Sequence, residues 1–176
     1  MRLGFVLLSC AIFLAGCAST SSTIIPRMSG PPLAAVLPLT GDLGEQASDL
    51  LSQEFARNGV AVVETGRLRS VVAVDTDLSS ATPAAVATLK SYGEQLGVSF
   101  LFSGTVSTDR GPLSSYPHVF ITLRLLEVSN GQTRWVGRYG NSMWTSAWST
   151  QGDLERGAND IVQEFIKAGG PAILRE

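Results

Sequence analysis

Few residues of this chain are equipped for chemistry, and most of those fail on spacing. His118 is the only histidine in 176 residues, and as a general base it would need a nucleophile within hydrogen-bond reach. A G-x-S-x-G elbow would supply one, but in "GVSFLFSG", residues 97–104, the spacing breaks at Phe100. His118, next to Pro117, reads instead as a solvated histidine at a strand edge. "TGDLGEQ", residues 40–46, sets Gly41 and Gly44 between an apolar run and a helical pattern, a place where backbone amides can cradle phosphate. The third glycine of a dinucleotide fingerprint and the Gly-Lys-Ser/Thr ending of a P-loop are both missing, so a tight βα turn is expected. Asp75 and Asp77 flank Thr76, yet Ser79 and Ser80 follow where a calcium loop would continue with another oxygen ligand and glycine. No carboxylate pair stands out for glycoside chemistry. The expectation is a chain without catalytic residues, cofactor, metal or small-molecule substrate.

Cys17 has a clearer chemical setting. It stands in "FLAGCASTSST", residues 13–23, where an apolar run gives way abruptly to Ser and Thr. Met1 and Arg2 form a small positive end and residues 3–14 are almost wholly apolar, the layout of a secretory signal. The run is too short to span a bilayer, which takes about 20 apolar residues. "LAGC" resembles the cleavage box of bacterial lipoproteins, with Cys17 as the first residue of the mature chain. That resemblance implies that the small residues admit the peptidase and that the Cys17 thiol takes acyl chains such as palmitate. The competing reading is an ordinary signal in which Cys17 is incidental, because small residues also mark plain cleavage sites. Cys10 lies within the apolar run and would be discarded with it, which leaves no disulfide framework and no C-x-x-C site. Buried acyl chains contribute about 0.8 kcal/mol per CH₂, and several chains anchor stably where one is marginal. Ala18 rather than Asp follows the cysteine, which by resemblance to known sorting behaviour favours the outer membrane, with the domain in the periplasm.

The composition narrows the classes further. Lys and Arg number 13 against 15 Asp and Glu, scattered along the chain, so the basic stripe of a nucleic-acid binder is absent. Hydrophobic residues make up 44%, too many for a charged disordered protein. Residues 1–16 are assigned to the signal, 17–32 to the lipidated cysteine and a linker, 33–170 to a single domain and 171–176 to a tail. The Ser/Thr/Gly/Pro-rich linker reaches about 50 Å at full extension and averages roughly 20 Å as a coil. The domain should therefore stay near its membrane.

Within the domain, residues 33–39 form a short apolar run suited to a buried strand. Ala47, Leu50, Leu51 and Phe55 then fall on one helical face, with Gly59 placed to cap the helix. "VAVV", residues 60–63, predicts a second, parallel strand and hence a βαβ unit. Residues 66–77 can be drawn as helix or strand, with a helical turn through Leu68 and Val71 favoured. Thr82 and Pro83 open a helix that carries Val86, Leu89 and Leu96 inward and ends at Gly97, with Tyr92 and Gly93 interrupting its good helix formers. Residues 98–106 should be a central strand. In "HVFITLRLLEV", Val119, Ile121, Leu123 and Leu125 alternate with Thr122 and Arg124, and Asn130-Gly131 turns the chain back through "QTRWVGRYG". The last helix, about residues 153–168, buries Leu154, Ile161, Val162, Phe165 and Ile166 before Gly169 and Gly170 stop it. The fold class is α/β, a mixed sheet of about five strands with helices packed against it.

"NSMWTSAWST", residues 141–150, places Trp144 and Trp148 four apart between the last strand and the last helix. They can present an aromatic surface to a protein, a sugar or a headgroup, or they can close the core beneath the helix. Tyr116, in the other long connection, is a weaker candidate.

Three stretches together resemble one group: "AAVLPLTGDLGEQASDLLSQEFARNGVAVVETGRLRSVV", "YGEQLGVSFLFSGTV" and "ITLRLLEVSNGQTRW". They look like the core of the CsgG-like envelope lipoproteins of curli secretion, a superfamily that includes LpoB-like synthase activators and FlgO-like flagellar lipoproteins. The resemblance covers residues 33–139 and implies a non-enzymatic envelope lipoprotein. The curli pore proteins add long amphipathic hairpins of about 9–11 residues per strand. Here the connections at residues 75–81 and 107–117 are too short or too polar for that. Synthase activators need a long tether, for which this linker is ill suited. The implied role is a membrane-proximal accessory or assembly factor that binds protein partners, self-association included. Activation of a peptidoglycan synthase and glycan binding through Trp144 and Trp148 stand as alternatives.

Fractionation of cells tests the anchor. The wild-type chain should sediment with the outer membrane and Cys17→Ser should not, whereas a variant that stays in the membrane would overturn the lipoprotein reading.

Overall fold

A computed structural model describes residues 33–63, 68, 82–109, 118–141 and 149–175. The elements are β1 (Ala34–Val36), α1 (Gly44–Arg57), α2 (Pro83–Leu96), β2 (Phe100–Asp109), β3 (His118–Glu127), β4 (Thr133–Gly140), α3 (Thr150–Lys167) and α4 (Gly170–Ile173). They form a mixed α/β fold in which one four-stranded sheet, in the order β1-β2-β3-β4, carries helices on its faces. β1 runs parallel to β2, and the two hairpins that follow are antiparallel.

The helix boundaries follow local chemistry. Thr82 caps α2, its Oγ1 accepting from the Ala85 amide at 3.2 Å, with Pro83 as the first helical residue and Gly97 ending the helix as expected. Ser149 does the same for α3 by accepting from the Gly152 amide at 3.1 Å. This cap starts α3 at Thr150, a turn earlier than its apolar periodicity alone suggests. The turn between β1 and α1 depends on two glycines. Gly41 has a φ of +110°, and a Cβ there would lie 1.8 Å from the Val106 carbonyl oxygen. At Gly44 a Cβ would lie 1.9 Å from the carbonyl oxygen of Leu39. One turn into α1, the buried Ser48 hydroxyl accepts from the Leu39 amide at 2.8 Å and donates to backbone carbonyls. "TGDLGEQ" is thus a tight βα turn whose two glycines each sit against a backbone carbonyl.

The sheet separates two apolar layers. On one face α1 and α3 bury Leu51, Phe55, Leu154, Ile161 and Phe165 against Val36, Phe102, Ile121, Leu123 and Leu125. The other face is covered by α2, whose Leu89, Tyr92 and Leu96 pack on Ala35, Leu37, Leu101 and Leu126. Leu68, helical and buried, joins this second layer, while the rest of the ambiguous segment at residues 66–77 lies outside the described residues. Tyr92 and Gly93 do not weaken α2. Both are buried, and a Cβ on Gly93 would lie 2.4 Å from a Val128 methyl, so the glycine lets the helix settle on the strand ending. Val86 and Ile166 are half-buried rather than fully inside. Leu174, beyond α3, is buried in the first layer.

The expected fifth strand is reduced to one parallel bridge, Ala34 to Val62, flanked by hydrogen bonds from Leu33 to Ala61 and from Val63 to Ala34. β1 is only three residues long and offers its outer edge through Ala34, so residues 60–63 have little backbone to pair with. β2 compensates by running on to Asp109, past its expected end, paired with β3 as far as His118.

Gly44→Ala should destabilise the domain by about 1–3 kcal/mol, because the new methyl group meets backbone and not a movable side chain. Exposed Gln46→Ala should stay within about 0.5 kcal/mol. Urea denaturation of the two variants measures the difference.

Candidate interaction surface

Of the residues the sequence marks as functional, Cys17, Tyr116, Trp144 and Trp148 lie outside the described residues, as do Asp75 and Asp77. What the structure does place is the ends of the two connections that carry the aromatics. Asp109 and His118 pair at the end of the β2–β3 hairpin, so residues 110–117 join two adjacent strands. His118 is half-buried as the first residue of β3.

The other connection, residues 142–148, is fixed at both ends by a buried polar link. The Asn141 amide donates to the Val119 carbonyl at 3.3 Å, and Asn141 Oδ1 accepts from the Val119 amide at 2.8 Å. Asn141 thereby extends the β3–β4 pairing past Gly140 with its own side chain. Its Nδ2 donates to Asp153 Oδ2 at 2.6 Å. Asp153 is fully buried in the first turn of α3, where the exposed amides of a helix start favour a carboxylate. Sheet and helix are therefore pinned on either side of Trp144 and Trp148. Close by, Tyr139 lies over Gly157, at which a Cβ would come within 2.6 Å of the ring. Its hydroxyl is buried without a hydrogen-bond partner among the described residues. Burial, aided by the carboxylates of Asp153 and Asp160 and opposed by Arg156, holds the phenol above the usual tyrosine value of 10.0.

The largest departure from the sequence reading is an open sheet face. α2 and Leu68 cover this side of the sheet as far as Leu101 and Leu126, and beyond them no described element covers the cross-strand rows. In order these are Ser103, Arg124 and Val136, then Thr105, Thr122 and Arg138, then Ser107, Phe120 and Gly140. None of these residues is buried. Phe120 is 42% and Val136 44% exposed, and they are the exposed large hydrophobics among the described residues. Directly opposed side chains in such rows sit about 4.5–5.5 Å apart, so the three rows form a continuous surface roughly 14 by 20 Å. It carries two guanidinium groups and no carboxylate. At its margin, where a bulge between Leu125 and Leu126 shifts the β4 register, Arg134 pairs with Glu127 at 3.5 Å. The Glu127 carboxyl lies below its usual range, chiefly through a hydrogen bond from Ser129.

The signal for this face was in the alternation itself. Phe120 falls in phase with Thr122 and Arg124, the polar side of β3, and Val136 falls between Arg134 and Arg138. An apolar residue out of phase on a half-polar strand marks either a second core or a docking surface, and only the packing distinguishes them.

Among the described residues no helix is long and apolar enough to cross a membrane. No group of three or more His, Cys, Asp or Glu there could hold a metal ion.

No protein-family profile and no curated protein matches the sequence. Solved structures with a similar chain path include the PelC dodecamer from Paraburkholderia phytofirmans, at 17% identity and a TM-score of 0.48, covering 82% of this chain and 91% of that one. The LpoB C-terminal domain from Salmonella enterica matches at 14% identity and a TM-score of 0.45, covering 65% of this chain and 86% of that one. A lipoprotein from Neisseria meningitidis matches at 15% identity and a TM-score of 0.43, covering 83% of this chain and all of that one.

Asn141→Ala should cost about 1–3 kcal/mol, since it removes one hydrogen-bond donor from a fully buried carboxylate and the side-chain acceptor of the Val119 amide. Thermal melts should show Tyr139→Phe to be neutral or slightly stabilising, because the hydroxyl it removes is buried without a partner. With its pKa raised in the fold, the phenol's contribution is whole below about pH 10 and is lost as the pH rises above that, where the unfolded chain ionises first. The alkaline fall in melting temperature should accordingly be shallower in Tyr139→Phe than in wild type.

Proposed function

We propose that this chain is a non-catalytic, lipid-anchored lipoprotein of the cell envelope whose domain binds a protein partner as an accessory or assembly factor. The observation that carries the binding reading is the uncovered β2–β4 face, where Phe120 and Val136 remain exposed while the rest of the large apolar side chains described are at least partly covered. Both residues lie among Ser, Thr and Arg on a polar strand face, and a bound partner would remove their apolar surface from water. The anchor rests on "LAGC" and the acyl acceptor Cys17, and the outer-membrane location on Ala18. Likeness in chain path to LpoB and to a lipoprotein is in keeping with this reading without carrying it.

The test is chemical crosslinking in living cells followed by isolation of the full-length chain from the envelope. A defined protein complex should come down with the wild-type chain, and Cys17→Ser, released from the membrane, should lose it. A wild-type chain that captures no protein would overturn the proposal.

A further inference from the structure

We propose that Asn130, in the turn between β3 and β4, is a site of spontaneous covalent modification, at which the chain converts the side-chain amide through a cyclic imide to aspartate and isoaspartate, and that the fold withholds the same chemistry from Asn58. The two residues form a natural comparison. Each is followed by a glycine, Gly131 and Gly59, and each is exposed.

The reaction needs only water. The glycine backbone nitrogen attacks Asn Cγ and forms the N–Cγ bond of a five-membered imide. The Cγ–Nδ2 bond breaks, and Nδ2 leaves as ammonia, taking up the proton that the glycine nitrogen gives up. Water then adds to one imide carbonyl and opens the ring, to Asp if it adds at the former side chain and to isoAsp if it adds at the former backbone carbonyl. A glycine at the second position favours the attack, since no Cβ crowds its nitrogen. Ring closure also requires that nitrogen to swing to the side of the Asn Cβ, so the rate follows how freely the residue can turn.

Asn58 is held against that turn. It ends α1 with a ψ of 13°, so the Gly59 nitrogen nearly eclipses the nitrogen of Asn58 itself and stands about a third of a turn from Cβ. Both ends of its side-chain amide are tied. Nδ2 donates to the Glu54 carbonyl at 2.8 Å, and Oδ1 accepts from Gln163 Nε2 of α3 at 2.9 Å. The Gly59 amide donates to the Ala56 carbonyl at 3.1 Å, and the next residue, Val60, is buried in the core and bonds back to Phe55. Freeing Asn58 therefore disturbs the junction of α1 with α3.

Asn130 is held only from within its own turn. Its Oδ1 accepts from the Gln132 amide at 2.8 Å, its side chain bonds to the Glu127 carboxylate, and the Gly131 amide donates to the Glu127 carbonyl at 2.8 Å. All these bonds lie between residues 127 and 132 at an exposed hairpin tip. Local opening of such a tip takes far less free energy than opening a helix junction. The product does not fit the turn it came from. An amide donor beside Glu127 becomes a second carboxylate, and isoAsp adds a backbone methylene where Gly131 lies so close to α2 that a Cβ there would come within 2.8 Å of a Val86 methyl.

The test is incubation of the purified full-length chain in detergent at mildly alkaline pH, with and without urea, followed by peptide mapping by mass spectrometry and enzymatic methylation of isoaspartate. In the folded chain Asn130 should lose its amide at least about tenfold faster than Asn58, and in urea the two rates should come within about threefold of each other. Gln163→Ala, which unties Asn58 Oδ1 from α3, should raise the Asn58 rate at least about threefold. Asn130→Gln should abolish the isoaspartate signal that the folded chain accumulates. The proposal is overturned if Asn130 in the folded chain is as inert as Asn58, or if Asn58 converts as fast as Asn130. It is overturned as well if the tenfold gap persists in urea, which would trace it to flanking sequence, or if Gln163→Ala leaves Asn58 unchanged.

Discussion

The structure depends first on the contact between three aromatic rings beneath the sheet. Phe55 of α1 stacks on Phe102 of β2 at 4.5 Å between centroids, and Phe165 of α3 meets both edge-on, at 5.6 and 5.3 Å. Trp135 of β4 adds a fourth ring against Phe165 at 5.1 Å. One cluster thus joins the first helix, the last long helix, a central strand and the edge strand, elements far apart in sequence. Aromatic pairs of this geometry contribute about 0.5–1.5 kcal/mol each beyond their burial, and truncating a buried Phe to Ala costs about 3–5 kcal/mol. No other contact in the described fold links so many elements.

With that face closed, the remaining architecture is asymmetric. The rings occupy the side of the sheet to which Val119, Ile121, Leu123 and Leu125 also point, so this side takes both α1 and α3. Among the described residues the other side has α2, held close by Gly93 against Val128, together with the buried, helical Leu68. The strands beyond α2 then show Ser, Thr and Arg to solvent, as half-buried antiparallel sheets do. Phe120 and Val136 are the exceptions to that rule. No described helix packs over them.

Two polar devices hold the ends of the layers in place. Ser48 ties the start of α1 to the last residues of the β1 run through Leu37, Leu39 and Gly44. Asn141 and Asp153 tie the end of β4 to the start of α3. Both are buried and hydrogen-bonded, so each constrains geometry strongly at little net cost. The second also fixes where the chain leaves the sheet and where it re-enters the helix on either side of Trp144 and Trp148.

The sequence by itself determined most of the elements and those ends that rest on a local cap or turn, because these follow from local physics. Thr82 with Pro83, the glycine ending of α2, the Asn130-Gly131 turn and the alternation of β3 each act within a few residues. It also determined the candidate anchor, since "LAGC" is a contiguous pattern in which Cys17 needs no fold to be recognised. Tertiary structure decided the rest. A strand such as residues 60–63 has the composition to pair, but how far it pairs depends on the length its neighbour offers, and β1 offers one residue. The link between Asn141 and Asp153 joins polar residues that look like ordinary loop and helix-start residues when read singly. The same holds for the open sheet face. Phe120 and Val136 each sit out of phase with an apolar alternation, but whether such residues are covered is set by the number of helices reaching that face, and no window of sequence contains that number.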